Sequence, residues 1–380
     1  MNAELCDLKE SLERDQDEFY EIEQSMPALG LNALNQKIQR NLFGAGEDYL
    51  ERFIQYVPEG IPRREQEIPP FEEAALRFLD TFCAVSVTSL SVRNGFPLSE
   101  GLFDLIVIDE ASQCDIASAI PLIYRGKRLV VIGDPLQLKH ISKVEAYEEK
   151  YLIDRLELNG YPLSYVDSSL YDYCDSLAKR SRLRNVLLIE HYRCHPDIIQ
   201  YSNEVFYCRT FGQELAIQTK EEDFSFEPKG IYWIDTTGTQ HSERNLNISE
   251  LNKTIELVTK LAKRHSSATI GITTPFRDQA KELNQRIPDS IRNRVTADTV
   301  HRFQGDEKDI MIVSLVLTRN SGPRKVNWIN HKVPYLINVA VTRAKSTLFI
   351  VGDAGYCLSL PPESPLGYLV RYVDSLGNRR

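Results

Sequence analysis

No glycine-rich phosphate loop of the form G-x-x-x-x-G-K-[ST] occurs in this chain of 380 residues. A triphosphate cradle of that kind, built on backbone N–H groups, is therefore missing from it. The Gly126-Lys127 pair is followed by Arg128, and Pro121 stands where the first glycine would belong. C-x-x-C pairs are absent too. The seven cysteines are scattered and odd in number, which argues against a zinc ribbon or a disulfide framework and predicts a reducing, cytoplasmic compartment. No apolar run approaches the length that spans a bilayer, and the acidic, polar N-terminus does not read as a secretory signal, so no membrane partner is expected. G-x-S-x-G, H-E-x-x-H and G-x-G-x-x-G are all lacking, which leaves nucleophilic hydrolase, zinc protease and dinucleotide oxidoreductase readings without support. Positive charge is short as well. The net charge of −9 argues against coating nucleic acid by bulk charge, but a narrow basic channel in an acidic body remains compatible with it.

What is present is an ordinary globular composition, 42% hydrophobic and 26% charged, at a length that predicts two or three domains. Residues 1–72 read as an acidic helical segment. Leu5, Leu8 and Leu12 recur at helical spacing, a second helix is expected around Leu31 to Ile54, and the proline-rich stretch Pro58 to Pro70 marks a boundary. From Ala74 onward helix-like and strand-like segments alternate. Strands are expected at Cys83–Val87, Leu105–Ile108, Leu129–Ile132, Val186–Ile189, Ile231–Ile234, Thr269–Thr273, Ile310–Leu317 and Leu348–Val351. Most are short, continuous apolar runs rich in Val and Ile, the pattern of parallel strands covered by helices on both faces. Polar clusters follow several of them: Asp109-Glu110, Gly133-Asp134, Glu190-His191, Thr274-Pro275 and Gly352-Asp353. Ligand-binding loops of such sheets gather at strand carboxyl ends.

Several clusters could carry chemistry. LIVIDEASQ, Leu105 to Gln113, has the form of a Walker B strand: Asp109 to hold Mg²⁺ through water, Glu110 to activate the attacking water. A strand-end turn with solvated carboxylates has the same form. GDPLQLKHI follows the next strand. Its Gln137 carries an amide that both donates and accepts, suited to sensing a phosphate or a water, while Gly-Asp-Pro is also an ordinary turn. In EHYRCHPDI, Arg193 offers a planar fork for phosphate oxygens and Tyr192 a face for a base. His191, Cys194 and His195 invite a metal reading, but Pro196 opposes the helix that would aim both histidines one way, and no fourth ligand is evident. VHRFQGDEKD places Gly305 and two carboxylates ahead of a strong strand, and LINVAVTRAK presents Arg343 as a candidate arginine finger, with Lys345 behind it.

In order along the chain, VIDEASQ, GDPLQLKHI, EHYRCHP, TTPFRDQ, VHRFQGDEKD and NVAVTRAK closely resemble motifs II through VI of superfamily 1 helicases. The likeness is strongest to the group of the nonsense-mediated-decay helicase, which moves 5′ to 3′ on single strands. It covers roughly residues 80 to 355. Val85-Ser86-Val87-Thr88 resembles the short strand-contacting motif that precedes Walker B, and Asn247 with Glu250 resembles a helix start of that group. The resemblance implies the following roles. Asp109 holds Mg²⁺, Glu110 is the base, and Gln137 couples the γ-phosphate to the strand-binding face. Tyr192 stacks on adenine, and Arg193 and Arg343 contact the γ-phosphate. Gly305 and Glu307 lie near ribose and phosphates. Thr88, Pro135, Thr274, Pro275 and His301 lie near the nucleic acid. His301 stands where the group commonly has an aspartate, and Asp306 where it has a basic residue.

The implied fold is α/β, a P-loop NTPase of RecA-like parallel sheets with flanking helices. Residues 73–165 would form a partial first lobe and 166–380 a complete second lobe. The implied cofactors are ATP and Mg²⁺, and the implied partner is single-stranded DNA or RNA. The missing phosphate loop predicts a fragment of a longer helicase, or a chain completed by an upstream polypeptide that carries Walker A. The alternatives are a catalytically dead single-strand-binding module and an inert truncated remnant.

Overall fold

The computed structural model describes residues 68–160, 164–183, 185–236 and 245–380. The helices expected before residue 55 lie outside them. The chain forms two compact units. Among the described residues, the first comprises those from Ile68 to Val107 together with Ala117–Val130, and the second those of Ile108–Ile116 together with Val131–Arg380.

In the first unit, helix α1 (Ile68–Thr81) starts inside the stretch expected to be a break. Pro69 and Pro70 fall in its first turn, where the N–H that proline lacks has no intrahelical partner to lose. Aromatic rings gather at its end and beyond: Phe78 lies 4.7 Å from Phe82, and Phe96 5.3 Å from Phe103. Arg125, fully buried after helix α2 (Ile116–Tyr124), donates to the carbonyls of Pro97 at 2.9 Å, Pro121 at 2.8 Å and Phe96 at 3.1 Å. Those three acceptors are what make its burial tolerable. The segment Cys83–Val87, expected to be a strand, is irregular, with Val85 and Val87 exposed. Val85 and Val87 lack the apolar cover on which the strand expectation rested.

Strands β1 (Ile106–Ile108) and β2 (Leu129–Val131) form a two-stranded sheet. The expectation of burial on both faces fails here, because Leu105, Val107, Val130 and Ile132 are all exposed. The run Val186–Ile189 is likewise no strand. Val186 and Leu188 are solvent-facing, and the short strand β3 (Glu190–His191) begins just after them, pairing with β4 (Ala216–Ile217).

The second unit is organised by a five-stranded, wholly parallel sheet. Its strands are β5 (Gly230–Asp235), β6 (Ile270–Thr274), β7 (Val295–Thr299), β8 (Lys308–Ser314) and β9 (Ala344–Gly352), in the order β5-β9-β8-β6-β7. Alternate residues of β8 feed opposite cores. Met311 and Val313 join Leu348 and Ile350 against α4 (Pro196–Ser202), α8 (Tyr335–Thr342) and α9 (Pro365–Ser375). Ile310 and Ile312 join Phe349 and Val351 against α5 (Ile248–Arg264) and α6 (Arg277–Arg286). Helices on both faces explain why these strands read as unbroken apolar runs. At the β5 edge the last residues of the chain run alongside. Trp233 N donates to Asn378 O at 3.0 Å, Arg380 N to Trp233 O at 2.8 Å and Asp235 N to Arg380 O at 2.9 Å.

A polar knot sits at the carboxyl end of this sheet. Asn247 caps α5 by accepting from Glu250 N. The Glu250 carboxyl, wholly buried, accepts from Val316 N at 2.7 Å, Ser314 Oγ at 2.8 Å and Asn247 Nδ2 at 3.0 Å. Val316 is a β-branched residue in the left-handed region, φ 66°, a conformation that persists only when its surroundings fix it. Burial pushes the Glu250 carboxyl up to about 8, against the pull of its donors. The folded state therefore holds this proton more tightly than the unfolded chain, and stability falls as pH rises from about 4.5 to 8. Desolvation shifts buried His195 and half-buried His191 and His301 down, so their contribution changes only below their ordinary value of 6.5. Between pH 6.5 and 8 the wild type should lose about 2 kcal/mol, and Glu250→Gln clearly less. Urea unfolding of both proteins at the two pH values checks this.

Candidate functional site

The carboxylates that follow β1 belong to the second unit. Glu110 adopts a left-handed conformation, φ 51° and ψ 37°, which a non-glycine residue rarely holds outside functional turns. Its N–H donates to Asp109 Oδ1 at 2.8 Å, and its Oε2 accepts from Gln113 Nε2 at 3.2 Å. Asp109 itself is exposed. The adjoining turn is drawn to the end of β2 by Ala111 N donating to Ile132 O at 2.8 Å. Gly133 follows. A Cβ there would lie 2.9 Å from the Tyr171 ring and 3.1 Å from Ser112 N, so its requirement is close approach and not an unusual φ.

Beyond Gly133 the chain alternates. Leu136 and Leu138 are buried in the core of the second unit, while Gln137 between them lines a cavity. Asp134 shapes the loop, accepting from Leu136 N at 2.8 Å, Gln137 Nε2 at 3.1 Å and Tyr207 Oη at 2.7 Å. The cavity, about 560 Å³, is also lined by Tyr192, Arg193, Glu307, Arg343 and Lys345. Arg343 is 2% exposed. It donates to Val339 O at 3.3 Å and to Asp306 O at 3.4 Å, and its Nη2 lies 3.5 Å from Gln137 Oε1. Burial lowers its pKa, with the neighbouring Arg193 charge adding to this, and Glu110 acts in the opposite sense. Glu110 thus faces Arg343 electrostatically. Glu307 accepts from Arg193 Nε at 2.8 Å and from Lys345 Nζ at 2.5 Å. The lysine's hydrogen bond, ahead of the nearby arginines, holds the Glu307 carboxyl below its usual range. Tyr192 presents an exposed ring, its hydroxyl donating to Glu190.

The remaining expected residues divide by location. Gly305 takes a left-handed turn, φ 83°, before β8, two residues from Glu307, but does not line the cavity. Pro135 lies half-buried in the loop after β2. Thr274 and Pro275, expected near nucleic acid, are buried at the end of β6, with Thr274 Oγ1 accepting from Phe276 N at 3.4 Å. His301 follows the adjacent strand β7 and feels the charge of Arg277. Thr88 belongs to the first unit, where its hydroxyl meets Ser91 Oγ at 2.6 Å. His191 and His195 serve local structure: His191 Nε2 accepts from Cys194 N at 2.8 Å, and His195 caps α4. The sequence reading gave no role to Lys345, Tyr207 or Glu190. Lys345 was findable, since it stands two residues past Arg343 and lines the same cavity as a second cation of the TRAK segment. Tyr207 had no such signal.

Two guanidinium groups, an ammonium and the carboxylates Glu307 and Glu190 line this cavity. The lining suits a nucleoside polyphosphate: planar cations for phosphate oxygens, a free ring face for a base, and carboxylates for hydroxyl groups. Glu307→Ala should raise the affinity for inorganic tripolyphosphate by about 3- to 10-fold, because it frees both Arg193 and Lys345 for the anion. It should change stability by no more than about 1 kcal/mol, the ordinary value of partly exposed pairs. Titration calorimetry and urea unfolding read the two quantities.

A family profile described as an AAA domain matches residues 166–355, half of the chain. A second, also described as an AAA domain, matches residues 65–142. Among curated proteins, the chain is 26% identical over 317 residues to human probable helicase senataxin, covering 77% of this chain and 11% of that protein. It is 30% identical over 272 residues to helicase SEN1 of Saccharomyces cerevisiae, covering 66% and 11%. With helicase sen1 of Schizosaccharomyces pombe it shares 27% identity over 367 residues, covering 90% and 20%. The chain thus spans a fifth or less of the length of these relatives. With both profiles matched and the motif residues in sequence order, the chain belongs to the superfamily 1 helicases, in the group of senataxin and the nonsense-mediated-decay helicase.

Proposed function

We propose that this chain is part of an ATP-dependent helicase or translocase that couples ATP hydrolysis to 5′-to-3′ movement on single-stranded DNA or RNA. It would work with a phosphate loop supplied from outside this sequence. Residues 73–165 act as part of the first lobe and 166–380 as the second. The observation that carries the reading is the meeting of Gln137, Tyr192, Arg193, Glu307 and Arg343 around one cavity, with Glu110 in electrostatic reach of Arg343.

The division of labour follows from the chemistry of each group. Asp109 would hold Mg²⁺, and the ion would neutralise phosphate charge when bound. Glu110 takes the proton of the attacking water. Gln137 senses the terminal phosphate. Arg193 and Arg343 stabilise the charge that develops on the transferred group. Tyr192 stacks on the base, and Gly305 with Glu307 borders the sugar and phosphates. Thr88, Pro135, Thr274, Pro275 and His301 shape the loops that meet the strand.

Co-expression of the chain with the polypeptide encoded immediately upstream, followed by a strand-stimulated ATPase assay, tests the reading. Hydrolysis that appears only with both pieces and rises with single strands is expected. Two soluble, associated pieces without hydrolysis would overturn it, and strand binding alone would then identify a silent binding module. In the active assembly Glu110→Gln should abolish turnover while nucleotide still binds, and Arg343→Ala should slow hydrolysis at least ~10³-fold. Single-turnover kinetics with a filter-binding control measures both.

A further inference from the structure

The loop that carries Gln137 is held by a residue with no assigned role. Tyr207 ends a five-residue π-helical turn, Asn203–Tyr207, between α4 and the short helix Cys208–Phe211. Such turns re-aim the side chains that follow them and recur at functional sites. Asn203 pins this one, its amide exchanging hydrogen bonds with both backbone groups of Leu215, at 3.1 Å and 2.9 Å. The Tyr207 ring lines the cavity, and its hydroxyl donates to Asp134 Oδ2 at 2.7 Å. The same oxygen accepts from Gln137 Nε2 at 3.1 Å. An ionised carboxylate can only accept, so it must face the NH₂ end of the amide. The carbonyl end is thereby left towards Arg343 Nη2, 3.5 Å away. Without the phenol hydroxyl, Asp134 keeps Leu136 N on Oδ1, but Oδ2, the oxygen that orients Gln137, is left with that amide as its one side-chain donor.

We propose that Tyr207 is a positioning residue: through Asp134 it fixes the Gln137 amide with its oxygen towards Arg343, so that the γ-phosphate sensor and the arginine respond as one. The proposal rests on the helicase reading for its consequence, the coupling of nucleotide state to strand affinity. It rests on the hydrogen-bond chain alone for the orientation.

The test is Tyr207→Phe, which keeps the ring and deletes one oxygen. In the full chain carrying ¹⁵N-labelled glutamine, the side-chain NH₂ pair of Gln137 is identified by its loss in Gln137→Ala. In Tyr207→Phe this pair should move by more than its linewidth while other glutamine pairs stay in place. Asp134→Asn should produce a shift of its own, and adding Tyr207→Phe to it should move the Gln137 pair no further. A Gln137 pair left unmoved by Tyr207→Phe overturns the proposal, whatever the ligand measurements give. The second arm measures single-strand affinity with and without a non-hydrolysable ATP analogue. Tyr207→Phe should keep each separate affinity within about twofold and reduce the coupling ratio at least threefold. Full retention of the coupling also overturns it. If the wild type binds neither ligand, the helicase reading fails while the amide spectrum still decides the orientation.

Discussion

The burial of two leucines governs this site. Leu136 and Leu138 are sealed into the apolar layer that α4, α8 and α9 build on one face of the five-stranded sheet. Burying each is worth about 1.5–3 kcal/mol. Because they flank Gln137, sealing both turns that amide the other way, into the cavity. The backbone between them is not left unsatisfied. Asn338 Nδ2 donates to Leu136 O at 2.9 Å, and Gln304 Nε2 to Leu138 O at 3.1 Å. With Tyr207 on Asp134, three side chains from later in the chain hold the loop that starts from β2. Nothing in the loop could shift without opening apolar surface or stranding a carbonyl.

Charge is organised around that frame. The chain is acidic overall, with a net charge of −9, yet Arg193, Arg343 and Lys345 converge on one cavity. Glu307 sits between two of them and keeps the cluster from repelling itself. Arg343, deeply buried, depends on carbonyl acceptors and on distant Glu110. Such a pocket gathers positive charge locally in a molecule whose net charge is negative.

Much of this could be read in advance. The central strands were legible because layers of helix on both faces demand continuous Val- and Ile-rich runs, as in Ile310 to Val313 and Leu348 to Val351. β7 was missed for the converse reason: at the sheet edge Val295 and Ala297 point inward while Thr296 faces solvent, so its sequence VTADT alternates. Cys83–Val87 and Val186–Ile189 had the right composition and no covering layer, and composition alone cannot report a neighbour. The motif residues were legible as types at fixed order, and their meeting around one nucleotide was expected only through the resemblance. The partnership of Tyr207 with Asp134 spans 73 positions and rests on a π-turn, which leaves no periodic trace in sequence. Glu250 was legible as a helix start, but its enclosure, and the strained Val316 that leans on it, belong to tertiary structure only.

The three residues Asn378 to Arg380 lie along β5 as a narrow selvedge, with the Arg380 guanidinium laid 5.0 Å over the ring of Tyr232. That border is otherwise a row of unmet amides of the kind that recruits foreign strands. Anything that lifts this hem, such as a protease cut or a bulky fusion at Arg380, would unmask the amides of Trp233 and Asp235 and invite a neighbouring molecule to finish the weave.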